Sequence, residues 1–310
     1  MLSSFWNLLT APTMPRISLG ISATHLAIVE LQKRSGNLIP KKVGVQTLPE
    51  GLVLASLLEP NITRESEFIE QMRTVADKAG LGRKLSLSVT LPEGSARSVV
   101  VTLDHKPATR EELMQMLDWK IGRSINAKMS EMRISHQQLN DEGTQPRWLV
   151  SAVQEQVIAQ YERLITQLGW HAGAIVPQHL GEAQWLIRSE VEANEDQVLV
   201  SLNQQGFVVV IVRGQEPLLI REVTCSPTER EDELFRLMVF YRDRLNPVQP
   251  LKRVLIIGET TEQTTLSQAI AAALEDNPQK LLPLTLGLNL DASLPFNRVA
   301  AATGLATLAF

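Results

Sequence analysis

Cysteine is almost absent. Cys225 is the only one in 310 residues, so no disulfide can close within the chain, and the composition fits a reducing compartment. A lone thiol of this kind reads as a small buried or half-buried hydrophobe. Long apolar runs are missing too. The longest are stretches such as Val208 to Val212, far short of the roughly 20 residues a membrane-spanning helix needs. Basic runs are missing: Lys and Arg occur singly or in pairs (Lys33-Arg34, Lys41-Lys42) and net charge is −4, which leaves no electrostatic footprint for nucleic acid. The N-terminus lacks the positive charge of a signal peptide. No Gly-x-Ser-x-Gly nucleophile elbow occurs. His25, His105, His136, His171 and His179 have no metal-box spacing with one another or with Cys225, so each reads as an ordinary satisfied or exposed histidine.

What is present is a repeat. Leu19 to Leu48 reads as strand, tight turn, strand, Gly-containing turn, strand, and Leu199 to Val223 reads the same way. Val, Ile and Leu runs bounded by Gly, Asn and Ser mark the strands. Ser22 and Ser201 end the first strands 179 positions apart, and Gly36 and Gly214 sit in the second turns 178 positions apart. Two such meanders suggest two halves built on one plan. With 44% apolar and 21% charged residues, the chain is long enough for about two domains with a sizeable core.

Residues Met1 to Pro15 form a leader ended by Pro12 and Pro15; its Phe5-Trp6-Asn7-Leu8-Leu9 stretch is apolar enough to dock on a partner or a lipid surface. After the first meander, Thr63 is a candidate N-cap for a helix carrying Phe68, Met72, Val75 and Ala79 at helical spacing, and Leu85 to Leu91 alternates as a half-buried strand. Pro92 to about Gln145 then interrupts the plan as an inserted subdomain. It opens on a strand at Arg97 to Leu103. A helix follows, started by the capping box Thr109 to Glu112 and striped by Leu113, Leu117, Ile121 and Ile125. Further strands are predicted at Met132 to Leu139 and Trp148 to Val153, and helices at Glu155 to Leu168 and His179 to Val191. Beyond the second meander, Ser226 to Glu229 is another capping box, with Pro227 at the first helical position. Arg253 to Ile257 is a buried strand suited to parallel pairing. Helices Thr264 to Leu274 and Phe296 to Leu308 follow, and Gly304 allows close packing of the last.

Several strings, taken in order, resemble the PilM family, the actin-like cytoplasmic proteins of type IV pilus assembly. They include Leu19-Gly20-Ile21-Ser22 with Leu26 to Leu31, Leu48 to Val53, and Ser88-Val89-Thr90-Leu91-Pro92. Glu111-Glu112-Leu113 with Leu117 to Lys120, Trp148 to Ala152, and Ala301 to Ala306 continue the series. The resemblance covers nearly the whole chain. It implies an α/β fold of duplicated actin-like (ribonuclease H-like) lobes, 16–178 and 179–310, with a small α+β subdomain inserted in the first at about 92–145. It also implies a scaffold on the cytoplasmic face of the inner membrane. There it would bind the N-terminal peptide of a PilN-like membrane protein in a groove bordered by the insertion, beside other pilus assembly proteins and with homo-oligomers possible. Met116, Trp119 and Lys120, on the edges of the inserted helix, are the partner-binding candidates, although core packing is the commoner role for such a Trp. The equivalent components of type II secretion and MSHA-type pilus systems share the fold.

The resemblance also implies a nucleotide cleft, and here the sequence departs from the pattern. An actin-like ATPase needs a carboxylate at each phosphate loop to place Mg²⁺ and water. The first loop has Ser22 with a short Ala23-Thr24-His25 turn, and the basic position of the next strand is apolar at about Ala27. The second loop has Ser201-Leu202-Asn203. At the adenosine site Gly258-Glu259-Thr260-Thr261 replaces a Gly-rich run. Serine brings no charge to hold the ion, although helix N-termini can still hold an anion. Ser22, Thr24, Ser201, Asn203 and Gly258 are therefore degenerate nucleotide positions. No catalysis, no metal and no cofactor are expected, with ATP and Mg²⁺ disfavoured; a slow ATPase is the alternative.

Overall fold

Alternating Val, Ile and Leu build two sheets of the same design. A computed structural model of the chain describes residues 14–122, 128–139, 145–189, 192, 195–245, 251–258 and 260–310. In the first half, β1 (Ile17–Ile21), β2 (His25–Arg34) and β3 (Asn37–Thr47) form the antiparallel meander. Helix α1 (Glu65–Lys78) leads into β4 (Ser86–Leu91), which pairs parallel to β1. After an insertion, α3 (Glu155–Gln167), β8 (His171–Pro177) and α4 (Gln178–Ile187) follow, with β8 parallel to β4. The sheet order is β3-β2-β1-β4-β8.

The second half repeats the order. Its meander is β9 (Asp196–Asn203), β10 (Gly206–Arg213) and β11 (Glu216–Thr224). Then come α5 (Arg230–Arg244), β12 (Arg253–Ile257), α6 (Thr260–Leu274), the short β13 (Gln279–Lys280) and α7 (Phe296–Ala306). The order is β11-β10-β9-β12-β13, with β12 parallel to β9. Gly36 and Gly214 sit at φ 86° and 56°, the left-handed turn conformation that a Cβ disfavours. The duplication read from the two meanders is thus the architecture.

Helices α4 and α7 join the halves. Trp185 and Leu186 of α4, and Val299 and Ala302 of α7, lie in one apolar cluster with Val29 of the first sheet and Val208 and Val210 of the second. The lobes therefore share a continuous core. The helices cross so tightly that a Cβ on Gly304 would lie 2.1 Å from the Gly181 carbonyl oxygen. Trp185 Nε1 donates to the Ala300 carbonyl at 3.1 Å across the same crossing.

The insertion contains β5 (Arg97–Thr102), α2 (Arg110–Gly122), β6 (Met132–Gln138) and β7 (Arg147–Gln154). They form a three-stranded antiparallel sheet in the order β5-β7-β6. Its central strand is β7, so the sheet runs to Gln154, beyond the expected end near 145. Leu113, Leu117 and Ile121 of α2 cover one face, on Val101, Val150 and Ala152. The opposite face carries Ser98 and Ser151, whose hydroxyls bond at 2.9 Å, and turns toward the body, where Arg147 donates to the Pro217 carbonyl at 2.7 Å.

Some local expectations shift. Thr63 does not cap α1; its hydroxyl donates to the Gly51 carbonyl at 2.8 Å and the cap position is Arg64. Glu112 N–H donates to Thr109 Oγ1 at 3.1 Å as the capping box requires, but the Glu112 carboxylate takes the Ala108 amide, at 2.6 Å. The Ser226–Glu229 box closes a separate turn, with the Ser226 amide on Glu229 Oε2 at 2.9 Å, and α5 starts only at Arg230. Helix α6 starts at Thr260, four residues before the expected Thr264. Ile125, Glu259 and most of the leader lie outside the described residues.

Candidate functional site

Between the lobes lies a cleft of about 440 Å³. The first half contributes the β1–β2 turn, Ser22 to His25, and Pro92-Glu93 beyond β4. The second contributes the β9–β10 turn with Asn203, Arg230 at the start of α5, Gly258 beyond β12, Glu262 of α6 and Arg298 of α7. Four of the five degenerate positions, Ser22, Thr24, Asn203 and Gly258, thus meet in one cleft. Ser201 lies beneath it, fully buried.

The first turn is closed upon itself. The Thr24 and His25 amides donate to Ser22 Oγ at 3.2 and 3.0 Å, and the Ser22 amide donates to the His25 carbonyl at 3.0 Å. A phosphate loop must aim its N–H groups outward at the anion; here three of them are spent inside the turn. His25 completes the closure. Its Nε2 lies 3.1 Å from the Arg298 carbonyl oxygen, which can only accept, so Nε2 carries the proton. Nδ1 then accepts from Ser22 Oγ at 2.8 Å or Thr24 Oγ1 at 3.1 Å. Burial, helped by the Arg298 charge, lowers the His25 pKa to about 4.

That shift sets a pH dependence. Between about pH 4 and the ordinary 6.5 the unfolded chain holds a proton on His25 that the native chain lacks. Stability from this group is therefore present above 6.5 and lost as pH falls through 4. His25→Asn is expected to flatten the thermal-melt profile across that window; an unchanged slope would place the acid sensitivity elsewhere.

The nucleotide side is filled rather than open. A Cβ on Gly258 would lie 2.3 Å from Leu202 Cδ1, so the space a glycine offers there is taken by Leu202. Arg230 is buried, ion-paired through Nη1 to Glu262, and donates Nη2 to the Asn203 carbonyl at 2.5 Å. Its charge is already compensated. Ala27 is 1% exposed in the shared core and offers no cation.

One carboxylate on the cleft wall escaped the sequence reading. Glu93 is paired with His179, Nδ1 to Oε2 at 3.0 Å, and accepts the His179 amide at 2.6 Å; both side chains are 3% exposed. Behind them Glu182 is fully buried, accepting from Gln178 Nε2 at 2.9 Å. Ser201 approaches it, yet Glu182 Oε2 and Ser201 Oγ are both left without a formed hydrogen bond. Glu222, ion-paired to Arg97, flanks the group. Burial and the Glu93 charge push Glu182 up to about 8. Burial alone would lower His179, but the charges of Glu93, Glu182 and Glu222 outweigh it, and its pKa ends raised. No group of three or more His, Cys, Asp or Glu among the described residues has metal-binding geometry. His179 is thus neither exposed nor idle, but the anchor of a buried interlobe cluster. Glu93 and His179 lie 86 positions apart, so no local pattern announces their pairing.

A second concavity, about 300 Å³, lies between the insertion and the first sheet. Ala174, Ile175 and Pro177 of β8 form one side, and Arg133, Ser135 and Val153 of the inserted sheet the other. Both β8 and β6 are edge strands, so each keeps unpaired backbone groups. Met116, Trp119 and Lys120 are not in this groove. They sit on α2, which covers the opposite face of the inserted sheet. Met116 packs there, Trp119 is 56% exposed with Lys120 Nζ 5.6 Å from its ring centroid, and Lys120 also reaches Asp104 at 3.4 Å.

Two sheets of order 3-2-1-4-5, joined by crossing helices around an interlobe cleft, make an actin-like two-lobed fold. Among solved structures the chain is similar to the PilM-PilN type IV pilus biogenesis complex, at 16% identity over 96% of this chain and 99% of that one, with a TM-score of 0.77. It is also similar, at 10% identity and TM-scores of 0.50, to two further structures. One is a Bacteroides thetaiotaomicron protein with an actin-like ATPase fold, covering 94% and 96% of the two chains. The other is the ethanolamine utilization protein EutJ of Carboxydothermus hydrogenoformans, covering 96% and 90%. No family model and no curated protein matches the sequence.

Proposed function

We propose that the chain is a non-catalytic scaffold of type IV pilus assembly, placed at the cytoplasmic face of the inner membrane. There it binds the N-terminal peptide of a PilN-like membrane protein. The observation that carries this is the likeness to the PilM-PilN complex over 96% of the chain. The groove between β8 and the insertion supports it. Two unpaired strand edges line an apolar trough, the arrangement in which an extended peptide gains backbone pairing and side-chain pockets together. The closed first turn, the Leu202 plug and the compensated Arg230 support the non-catalytic part, with neither ATP nor Mg²⁺ bound. No helix among the described residues is long and apolar enough to cross a membrane, so attachment would come through the partner.

Titration with the N-terminal peptide of a PilN-like protein is expected to give saturable binding, and no binding at high micromolar peptide would overturn the reading. Glu93 favours a slow actin-like ATPase instead, because it supplies at the cleft a carboxylate not paired to Arg230. A nucleotide bound only to the native state would raise the melting temperature by mass action. Millimolar Mg-ATP is expected to leave it unchanged; a shift of several degrees, abolished in Glu93→Gln, would favour the ATPase.

A further inference from the structure

The duplication leaves two equivalent meander edges, β3 in the first sheet and β11 in the second, and each is covered by the opposite half. On β3, the second half lays Gly287 to Asn289 alongside Leu38. The Leu38 amide donates to the Gly287 carbonyl at 2.8 Å, and the Asn289 amide donates to the Leu38 carbonyl at 3.0 Å. On β11 the cover is the inserted sheet, which belongs to the first half and runs from β7 directly into α3. The lobes therefore clasp each other twice.

The two clasps are built differently. β5 is an edge of the inserted sheet and lies along β11, yet among the described residues the two strands stay in separate sheets. Side chains, not strand pairing, hold this seam. Arg97, at the start of β5, pairs with Glu222 near the end of β11. Arg147, opposite Thr102 at the other end of β5, reaches the start of β11. There β11 is bulged: Pro217 pairs with Val212 and Leu219 with Ile211, which leaves Leu218 out of register. A proline offers no N–H to a neighbouring strand and a bulge bends the edge, so continuous pairing with β5 is blocked. Arg147 Nη2 donates instead to the Pro217 and Leu218 carbonyls, at 2.7 and 3.4 Å. Half-buried Val100 and Leu149 of the insertion rest on the shared core. The Arg97 side chain is 35% exposed, so water can take over its bonds as the seam parts.

We propose that the inserted sheet is a releasable latch between the lobes. With Arg97 and Arg147 engaged, the interlobe cleft is held in one geometry. With them released, the β5–β11 seam parts while the β3 clasp and the α4–α7 crossing stay shut. Parting uncovers the β11 edge, which then offers its backbone groups for pairing. It also brings water to Glu222, which flanks the Glu93–His179 pair. The latch is independent of the peptide-binding reading above.

Native-state amide exchange tests it, because a part that opens by itself exchanges without global unfolding. In the wild type, exchange across 216–224 is expected to depend weakly on urea below the unfolding transition, and exchange in α4 and α7 steeply. Arg97→Gln/Arg147→Gln should speed exchange across 216–224 at least ~10-fold and leave α4, α7 and the urea midpoint unchanged. Arg97→Glu should speed it as well, and the exchanged pair Arg97→Glu/Glu222→Arg should return it to within ~3-fold of the wild type. Exchange that rises together in β11, α4 and α7 with a falling urea midpoint overturns the proposal, because the insertion would then belong to one cooperative core. Unchanged exchange in the glutamine variant overturns it too, and so does a charge-swapped pair that stays as fast as Arg97→Glu. The wild-type urea dependence decides the matter even if a variant fails to fold: equal, steep dependence in β11 and in α4 and α7 rules out a latch.

Discussion

Gly304→Ala is expected to destabilise the protein by about 3–5 kcal/mol, the range of a severe core substitution. Helix propensity alone predicts the opposite: in a helix interior alanine is better than glycine by about 1 kcal/mol. The competing term is steric. The new Cβ would lie 2.1 Å from the Gly181 carbonyl oxygen and 3.1 Å from Trp185 Nε1. Neither neighbour can swing aside, since the first is backbone and the second is fixed by its bond to the Ala300 carbonyl. Relief requires α4 and α7 to separate by about an ångström, and close-packed interiors transmit such shifts rather than absorb them. These helices carry the core common to both sheets, so the whole molecule loses stability, not one lobe. Gly82→Ala is the control, because nothing lies within 4 Å of its Cβ position and its φ is not in the left-handed range. Urea midpoints decide the matter: if Gly304→Ala melts with the wild type, the helices do not cross as closely as described.

That close crossing was legible in the sequence, and so was the doubled meander. Both rest on local signals: a small residue in an Ala-rich helix, and alternation closed by Gly36 and Gly214. The insertion was legible in part. Each of its strands was marked by composition, but Trp148 to Val153 joins this sheet by pairing with both Met132–Gln138 and Arg97–Thr102, and composition marks a strand without naming its neighbours. The cleft divides the same way. The missing carboxylates at Ser22 and Ser201 and the shortness of the first turn could be read directly, but not that the turn is closed upon itself. What closes it could not be read, because His25 is held by the carbonyl of Arg298, 273 positions away. Glu93 and His179, 86 positions apart, were invisible for the same reason. Gly258 kept the residue type of a nucleotide site while losing the space, since Leu202 fills it. Met116, Trp119 and Lys120 were chosen as edges of an amphipathic helix, and the pairing register alone decides that the helix lies on the side of the small sheet away from the groove.

Glu182→Gln is expected to stabilise the protein, by an amount that grows with pH. Glu182 is fully buried behind the Glu93–His179 pair, and burial together with the Glu93 charge holds its native pKa at about 8 against an ordinary 4.5. Below 4.5 both states are protonated and the group is neutral in effect. Between 4.5 and 8 the unfolded chain releases a proton that the native chain keeps, so folding is opposed by a term that rises with pH and levels off above 8. Each pKa unit corresponds to about 1.4 kcal/mol. With some relief from local rearrangement, the variant should gain about 2–4 kcal/mol over the wild type near pH 8 and almost nothing near pH 4.5. Glutamine keeps the shape and still accepts from Gln178. His179 and Glu222, whose pKa values are also raised, lose stability in the same direction as pH climbs, so the variant retains a shallower slope of the same sign. Urea denaturation at several pH values separates the outcomes. Stability curves for the two proteins that run parallel from pH 4.5 to 8 would mean that Glu182 is ionised in the folded protein, and that the cluster beneath the cleft is hydrated rather than sealed.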